Sequence, residues 1–210
     1  MIRDHVLHRV RTALSRSAAQ APEPAPPPLL EVPGVSVADR VDMFCAAFEK
    51  LAGKTYVAAT RAEARRYAEA IATGRRSVAS NSAVLRECGI TEIAGVESGF
   101  GDGAAWRAAC ASADVGITGA DYALADTGTL VFFSSAEEPR LVSLLPPVHL
   151  AVVVRERLLT GLDELFTLIP DPAEMSSSLV FVTGPSRTAD IEQILVRGVH
   201  GPGEIHVVLI

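Results

Sequence analysis

A chain of 210 residues with 49% hydrophobic and 21% charged residues has the length and composition of one globular domain with a well-sized core. Its formal charge of −6 and its lack of a lysine-rich tract argue against a nucleic-acid partner, because no basic surface is available to replace the counterions of a phosphate backbone. No apolar run approaches the roughly 20 residues of a membrane-spanning helix, and the N-terminus has no continuous apolar signal core. We therefore expect a cytoplasmic protein without a membrane span.

The three cysteines, Cys45, Cys88 and Cys110, are widely separated, without a CxxC pair or a histidine at ligand spacing. This arrangement argues against a disulfide framework, a zinc site and an iron–sulfur site. No cluster of carboxylates and histidines has the spacing of metal ligands either. We expect this chain to hold no metal and no cofactor of its own.

Three segments follow one another along the chain. Residues 1–20 form a basic arm in which Ile2, Val6, Val10 and Leu14 recur at helical spacing. Residues 21–34 are rich in proline and predict a stiff, extended linker. Residues 35–210 have the pattern of an α/β domain, on which the arm could dock if it does not instead contact a second copy or another protein.

Helical and strand patterns alternate within residues 35–210. We predict helices over residues 36–51, 62–72, 82–87, 104–111, 162–169 and 188–196. We predict strands over residues 55–59, 77–80, 90–96, 114–118, 128–134, 149–154, 179–183 and 205–210. Strands interleaved with helices at this spacing indicate a mostly parallel sheet covered on both faces, a three-layer α/β/α arrangement.

Three short motifs resemble catalytic or nucleotide-binding signatures and fail on their context. Gly53-Lys54-Thr55 precedes a strand, whereas a phosphate-binding loop opens a helix. The glycines at 99, 101 and 103 lack the later acidic residue of a dinucleotide site, although the turn could form the rim of a site. Gly184-Pro185-Ser186 lacks the second glycine of a nucleophile elbow.

The polar stretch 116–129 follows one predicted strand and leads into the next. Hydroxyl groups and glycines in such a turn supply donors and close backbone approach for an anionic ligand. The alternative is ordinary turn chemistry, in which Asp and Thr cap backbone groups. The ligand-binding candidates here are Thr118, Asp121, Thr127, Gly128 and Thr129, with Asp126 as a candidate for proton transfer.

The stretch 183–190 runs from a predicted strand into the helix predicted over 188–196. A helix N-terminus after a strand favours anions, and an arginine there could add a bidentate contact to a carboxylate or phosphate. Ser186 or Thr188 could instead be a helix cap, but a cation at a helix start has no such explanation. The ligand-binding candidates of this stretch are Gly184, Ser186, Arg187, Thr188 and Asp190.

The turn 198–203 presents His200 between chain-bending residues just before the last predicted strand. A histidine held there could act as an acid, a base or a hydrogen-bond donor, or be a satisfied turn residue. Because residues 118–129 and 183–190 already suggest an anion site, we expect Asp126 or His200 to handle a proton beside it.

Four strings in this chain occur in the order found in one known family: GITGADYALADTGTLV (116–131), LPPVHLAVV (145–153), VTGPSRTADIE (182–192) and GVHGP (198–202). On these strings, residues 35–210 resemble the lactate-utilization (LUD) domain family in its protein C type, also called LutC/YkgG. The resemblance implies a fold like that of the NagB/RpiA/CoA-transferase group. It also implies a role in oxidising L-lactate to pyruvate together with iron–sulfur partner proteins, in which any clusters would lie.

Two other classes of function stay open at this point. Isomerase, CoA-transferase and cyclo-ligase chemistries occur on related scaffolds, and fold alone does not choose among them. A CoA transferase would use a glutamate nucleophile, for which Glu97 is the candidate. The chain could also be a non-catalytic assembly subunit that uses residues 1–20 to hold a partner, or it could form a homo-oligomer.

Overall fold

The computed structural model describes residues 2–17, 34–189 and 195–210 of the chain. The helices are α1 (Ile2–Ala13), α2 (Val37–Lys50), α3 (Arg61–Ala72), α4 (Ala83–Glu87), α5 (Gly103–Ser112), α6 (Arg140–Leu144), α7 (Leu162–Leu168) and α8 (Pro172–Met175). The strands are β1 (Lys54–Val57), β2 (Ser77–Ala79), β3 (Val96–Glu97), β4 (Val115–Gly119), β5 (Tyr122–Leu124), β6 (Thr129–Phe133), β7 (Val148–Val153), β8 (Leu158–Leu159), β9 (Leu179–Val182), β10 (Arg187–Ala189), β11 (Leu195–Arg197) and β12 (Glu204–Leu209). Short 3-10 turns cover Ile90–Glu92 and Arg155–Arg157.

Helix α2 shows why the local sequence specifies its element. The Ser36 hydroxyl accepts a hydrogen bond from the Asp39 amide at 3.2 Å and so satisfies one of the free donors of the first turn. Val41, Phe44 and Phe48 recur at helical spacing and are buried. The helix therefore has a cap at its start and an apolar stripe that holds it on the domain.

The main sheet has six strands in the order β1-β12-β7-β4-β2-β3, and every neighbouring pair is parallel. Side chains along its central strand β7 alternate between two core clusters. Leu150 and Val152 pack with the buried residues of α3 and α4, whereas Ala151 and Val153 pack with those of α2. Both faces of the sheet are thus covered, and the expected three-layer α/β arrangement with a mostly parallel sheet is confirmed.

A second sheet has the order β8-β5-β6-β9 and packs on the same face of the main sheet as α2. Strands β5 and β6 form an antiparallel hairpin, with Tyr122 paired to Val131 and Leu124 to Thr129. One face of this sheet places Leu130 and Phe132 in the same cluster as α2, and the other face is covered by Leu165 of α7. The β5–β6 hairpin is therefore sandwiched between the main sheet and α7.

Two predicted elements are wrong. Residues 90–96 form a 3-10 turn and a short strand instead of one strand. The helix predicted over 188–196 is wrong at both of its described ends, because β10 and β11 pair antiparallel there with Thr188 opposite Val196. Residues 190–194 lie outside the described residues, so the candidate Asp190 has no described position.

The N-terminal arm predicted over 1–20 contains α1, and most of the predicted linker falls in residues 18–33, outside the described ranges. Val6, Val10 and Leu14 along this segment are 52%, 49% and 60% exposed. In the ranges 2–17, 34–189 and 195–210, no helix has the length and apolar character needed to cross a bilayer.

Candidate functional site

A crevice opens at the carboxyl ends of the neighbouring strands β2 and β4. After β2 the chain enters α4, whose Leu85 packs with Leu150 on one face of the main sheet. After β4 it enters the β5–β6 hairpin, whose Leu130 packs with Ala151 on the opposite face. In parallel α/β sheets, ligands bind in the crevice between strands whose connections leave to opposite faces.

Glu138 occupies this crevice and joins the two strands. Its Oε2 accepts hydrogen bonds from the Ser80 hydroxyl at 2.7 Å and from the Gly119 amide at 3.0 Å. The residue is 9% exposed, and its Oε1 has no hydrogen-bond partner among the described residues. Burial raises the pKa of Glu138 to about 8, although the two hydrogen bonds act in the opposite direction.

A cavity of about 400 Å³ adjoins this carboxyl group on the side of the β4–β5 connection. That volume falls within the range of small-molecule sites in proteins. Its chemically distinctive lining residues are Ser82, Val84, Gly119, Asp121, Tyr122 and Arg157. Gly119 both lines the cavity and donates its amide to Glu138, so the buried carboxyl group lies directly behind the cavity wall.

Asp121 and Arg157 give the cavity two opposite charges. One oxygen of Asp121, Oδ2, accepts the Phe133 amide at 2.7 Å. Burial raises the pKa of Asp121, whereas that hydrogen bond and the charge of Arg157 lower it. The Arg157 guanidinium donates to the Tyr122 hydroxyl at 2.9 Å and lies 5.1 Å from the centre of that ring. The arrangement leaves the other Asp121 oxygen able to accept a ligand hydroxyl and leaves guanidinium donors for a carboxylate.

A second, smaller cavity of about 240 Å³ lies on the other side of the crevice and includes Asn81, Gly99 and Glu137. The Asn81 side chain accepts the Gly99 amide at 2.8 Å and donates to the Phe100 carbonyl at 3.2 Å. The glycine turn proposed from the sequence as a rim therefore lies at the border of this crevice. Glu97, the candidate nucleophile of a CoA transferase, is exposed at the end of β3.

The predicted stretch 116–129 is divided between distant places. Asp121 lines the large cavity, but Thr118 is fully buried and its hydroxyl lies 2.7 Å from Nε2 of His149. The remaining candidates lie around the turn at the far end of the β5–β6 hairpin. There the Thr127 hydroxyl donates to Asp126 at 3.1 Å, and the Thr129 hydroxyl lies 2.9 Å from those of Thr127 and Thr183.

Gly128 sits in the same turn with a φ of +62°, a conformation that favours glycine. A β-carbon there would lie 2.6 Å from the backbone nitrogen of Phe48. The sequence predicted that Gly128 permits a close backbone approach. Among the described residues, this approach is made to helix α2.

The stretch 183–190 and the turn 198–203 lie side by side. The Ser186 amide donates to the Pro202 carbonyl at 2.9 Å, and the Gly198 amide donates to the Ser186 carbonyl at 3.0 Å. Gly203 then precedes β12 and donates to the Pro147 carbonyl at 3.0 Å, just before β7. These loops therefore lie at the amino ends of the parallel strands, the edge of the main sheet opposite Glu138.

Arg187 does not lie at a helix N-terminus, so the electrostatic argument that singled it out is wrong. It begins β10, and its guanidinium donates to the Leu51 carbonyl at the end of α2. Gly184 packs close to the Leu51 side chain, Thr188 lies in β10, and His200 is exposed. Their ligand-binding or catalytic roles stay predictions.

Sequence reasoning missed Glu138, Ser80 and Arg157. Glu138 is the second residue of an acidic pair in Ser135-Ala136-Glu137-Glu138, which has the composition of an exposed loop. The one local signal was Pro139 directly after it, at the start of a short helix. Glu138 is buried because it binds Ser80 after β2 and Gly119 at the end of β4, and both residues are distant from it in the sequence.

Comparison with known proteins gives relatives named lactate utilization protein C. Lactate utilization protein C of Halalkalibacterium halodurans is 43% identical over 94 residues, which are 43% of this chain and 41% of that protein. Lactate utilization protein C of Bacillus subtilis is 40% identical over 102 residues, 47% of this chain and 42% of that protein. The matched stretch thus spans about two fifths of the length of these curated relatives.

A crystal structure of a DUF162 family protein from Deinococcus radiodurans has the same fold, with a TM-score of 0.63 at 19% identity over 84% of this chain and 99% of that one. The sequence model of the LUD domain matches residues 41–210, which contain α3 to α8, the described strands β1 to β12 and the crevice around Glu138. The chain belongs to the LUD domain family.

Proposed function

We propose that this chain is a ligand-binding component of a lactate-utilization system and that its crevice binds a small carboxylate, L-lactate or pyruvate. The observation that carries the proposal is the family match over residues 41–210, together with relatives that bear the name lactate utilization protein C. Because those relatives are matched over about two fifths of their length, their names support a shared role in lactate utilization without assigning a step.

The charges of the large cavity suit a 2-hydroxy acid. Such a ligand carries a carboxylate, which can pair with the Arg157 guanidinium, and a hydroxyl, which can donate to Asp121. Ala83, Val84 and Met175 offer apolar surface to a methyl group. The cavity is larger than a three-carbon acid, so water or a partner's group has room beside the ligand.

Oxidation of L-lactate to pyruvate releases two electrons and two protons. We propose that the electrons pass to iron–sulfur partner proteins, as the resemblance implied. Cys88 and Cys110 are buried in separate core clusters, and burial raises the pKa of both thiols and of Cys45. Protonated, separated thiols are poor cluster ligands, which supports a ligand-binding role for this chain.

Calorimetric titration of the full chain with L-lactate and pyruvate tests the ligand. Acetate, which lacks an oxygen at carbon 2, is the matched control ligand. We expect saturable heat for L-lactate or pyruvate and much weaker binding of acetate. If acetate binds as well as both, or if neither acid binds, the proposed ligand is wrong.

A second candidate function, assembly, has one observation in its favour. Val6, Val10 and Leu14 lie in or just after α1 and are about half exposed, and a helix of 12 residues is marginally stable in water without a packing partner. Deleting residues 1–20 should then abolish co-purification with iron–sulfur partners while leaving pyruvate binding intact. Loss of pyruvate binding in the truncated chain would argue against a purely docking arm.

A further inference from the structure

We propose that Glu138 is the positioning residue of the crevice: its carboxyl group, from behind the cavity wall, fixes the Gly119 peptide and the Ser80 hydroxyl and thereby the connection that carries Asp121. The inference rests on the proposed function for the identity of the ligand. None of the similarities to known proteins assigns a role to this glutamate.

The first support is the geometry of the hydrogen bonds. A single oxygen, Oε2, binds one donor from the end of β4 and one from the residue after β2. The Gly119 amide is the last of β4, and Asp121 follows two residues later. A shift of the carboxyl group would therefore move the backbone that lines the cavity.

The second support is the packing around Gly119. A β-carbon at this position would collide with the Ser82 hydroxyl and with Val84, so the end of β4 cannot shift toward α4 without a steric clash. The amide on the other side is held by Glu138. Gly119 is thus confined from both sides, and one of the two restraints is a titratable group.

The third support is the electrostatic setting. The charged groups around Glu138 are Asp121 in the connection between β4 and β5, the adjacent Glu137 and, on α4, Arg86, which pairs with Glu137 at 3.6 Å. No cation lies within ion-pair distance of the Glu138 carboxyl group among the described residues. Burial without a counterion keeps the group neutral at pH 7, consistent with its raised pKa of about 8. A neutral acid can hold Gly119 without repelling an anionic ligand in the adjacent cavity.

The test follows the Gly119 amide by nuclear magnetic resonance in the ligand-free chain between pH 6 and pH 9.5. We expect its resonance to titrate with a midpoint near the Glu138 pKa of about 8 in the wild type, and not in Glu138→Gln. Glutamine keeps an acceptor for Ser80 and Gly119 and cannot ionise. Glu137→Gln is the matched control, since it removes the neighbouring exposed carboxylate and should leave the Gly119 titration unchanged.

The same proteins are then titrated with pyruvate at pH 6.5 and pH 9.5. If binding requires the neutral acid, a pKa of about 8 predicts an affinity loss of up to about 30-fold at the higher pH in the wild type and in Glu137→Gln. Glu138→Gln should bind at pH 6.5 within about threefold of the wild type and lose this pH dependence. Glu138→Ala, checked for folding by circular dichroism, should bind weakly at both pH values.

Two results overturn the proposal: a Gly119 resonance that does not titrate in the wild type, or pyruvate binding whose pH dependence persists in Glu138→Gln. Failure of both pyruvate and L-lactate to bind at any pH refutes the proposed ligand instead. In that case the ligand-free Gly119 titration still decides whether Glu138 controls the β4 terminus.

Discussion

The Thr118 hydroxyl lies 2.7 Å from Nε2 of His149, and both residues are fully buried at the centre of the main sheet. The two strands are paired in register, with Gly116 opposite His149 and Thr118 opposite Ala151. The other ring nitrogen of His149, Nδ1, has no hydrogen-bond partner among the described residues, and burial lowers the pKa of His149 to about 3. Thr118 therefore satisfies one ring nitrogen of a neutral, buried histidine, and its ligand-binding role stays a prediction.

Thr118→Val should reduce the free energy of unfolding by about 1–3 kcal/mol, because it leaves a buried imidazole nitrogen without a partner while preserving the side-chain shape. Urea denaturation followed by circular dichroism measures the change, with Thr118→Ser as the control that keeps the hydroxyl. Pyruvate affinity should be unchanged in Thr118→Val. If Thr118→Val instead lost pyruvate binding and kept its stability, Thr118 would be a ligand-binding residue.

The stability of the chain should fall as the pH rises from 6.5 to 8. The folded pKa of Glu138, about 8, lies above its ordinary value of 4.5, so the folded state binds an extra proton almost fully at pH 6.5 and about half of it at pH 8, whereas the unfolded state binds almost none. Well below pH 8 each pH unit costs about 1.4 kcal/mol, and the loss over the whole window is about 1.6 kcal/mol because the slope halves as the pH reaches 8. Two buried histidines oppose this fall near pH 6.5, because burial lowers the folded pKa of His149 to about 3 and that of His206 below its ordinary value, but the opposing contribution, about 0.4 kcal/mol for His149, is smaller than that of Glu138.

Urea denaturation at intervals between pH 6.5 and pH 8 measures this slope. Glu138→Gln should remove the fall of stability with pH, since glutamine does not titrate. Glu137→Gln should retain it. Equal slopes in the wild type and Glu138→Gln would show that another group is responsible.

The sequence predicted the layers better than it predicted the site. Apolar runs such as residues 149–154 and the periodic apolar positions of α2 depend on local pattern, and the strands of the main sheet other than β3 lie within one or two residues of their predicted bounds. The helix predicted over 188–196 was wrong because the polar and apolar residues of this stretch fit a helical period of 3.6 as well as they fit a hairpin. The pairing of β10 with β11 decides between the two, and this pairing does not follow from the local sequence.

The site depended on contacts between distant positions. Residues 118, 121 and 127–129 are close in the chain, but Thr118 ends in the core, Asp121 in the cavity and Thr127 at the far end of the β5–β6 hairpin. Short antiparallel strands carry the chain from one edge of the sheet to the other within a few residues. No periodicity in the sequence reveals such a reversal, nor that Glu138 is buried against Ser80.

Gly128→Ala should be strongly destabilising, by more than the roughly 1 kcal/mol that a positive φ alone costs an alanine. A β-carbon at position 128 would lie 2.6 Å from the Phe48 nitrogen and 2.9 Å from its α-carbon, atoms of a helix backbone that cannot move independently. Gly74 has a similar φ of +73°, but a β-carbon there would meet no atom within 4 Å, so Gly74→Ala is the matched control. Thermal unfolding of both variants measures the difference, and equal effects would mean that the α2 contact is not tight.

Substitutions of two arginines can test whether the ligand binds in the crevice or at the loops predicted from the sequence. Arg157 lines the large cavity at the carboxyl ends of the parallel strands, whereas Arg187 binds the Leu51 carbonyl beside the opposite edge. If the carboxylate binds in the crevice, Arg157→Gln should weaken pyruvate binding at least tenfold, because it removes a charge-assisted contact worth roughly 1.5–3 kcal/mol. Arg187→Gln should leave the affinity within about twofold.

Both arginine side chains are exposed, so neither substitution should prevent folding, and circular dichroism together with thermal unfolding provides the check. Isothermal titration calorimetry with pyruvate at pH 6.5 measures both variants under conditions in which Glu138 is neutral. The reverse outcome, with binding lost in Arg187→Gln and kept in Arg157→Gln, would move the ligand to the loops around Thr129 and Ser186. Because the two arginines lie at opposite edges of the main sheet, the result locates the carboxylate at one edge or the other.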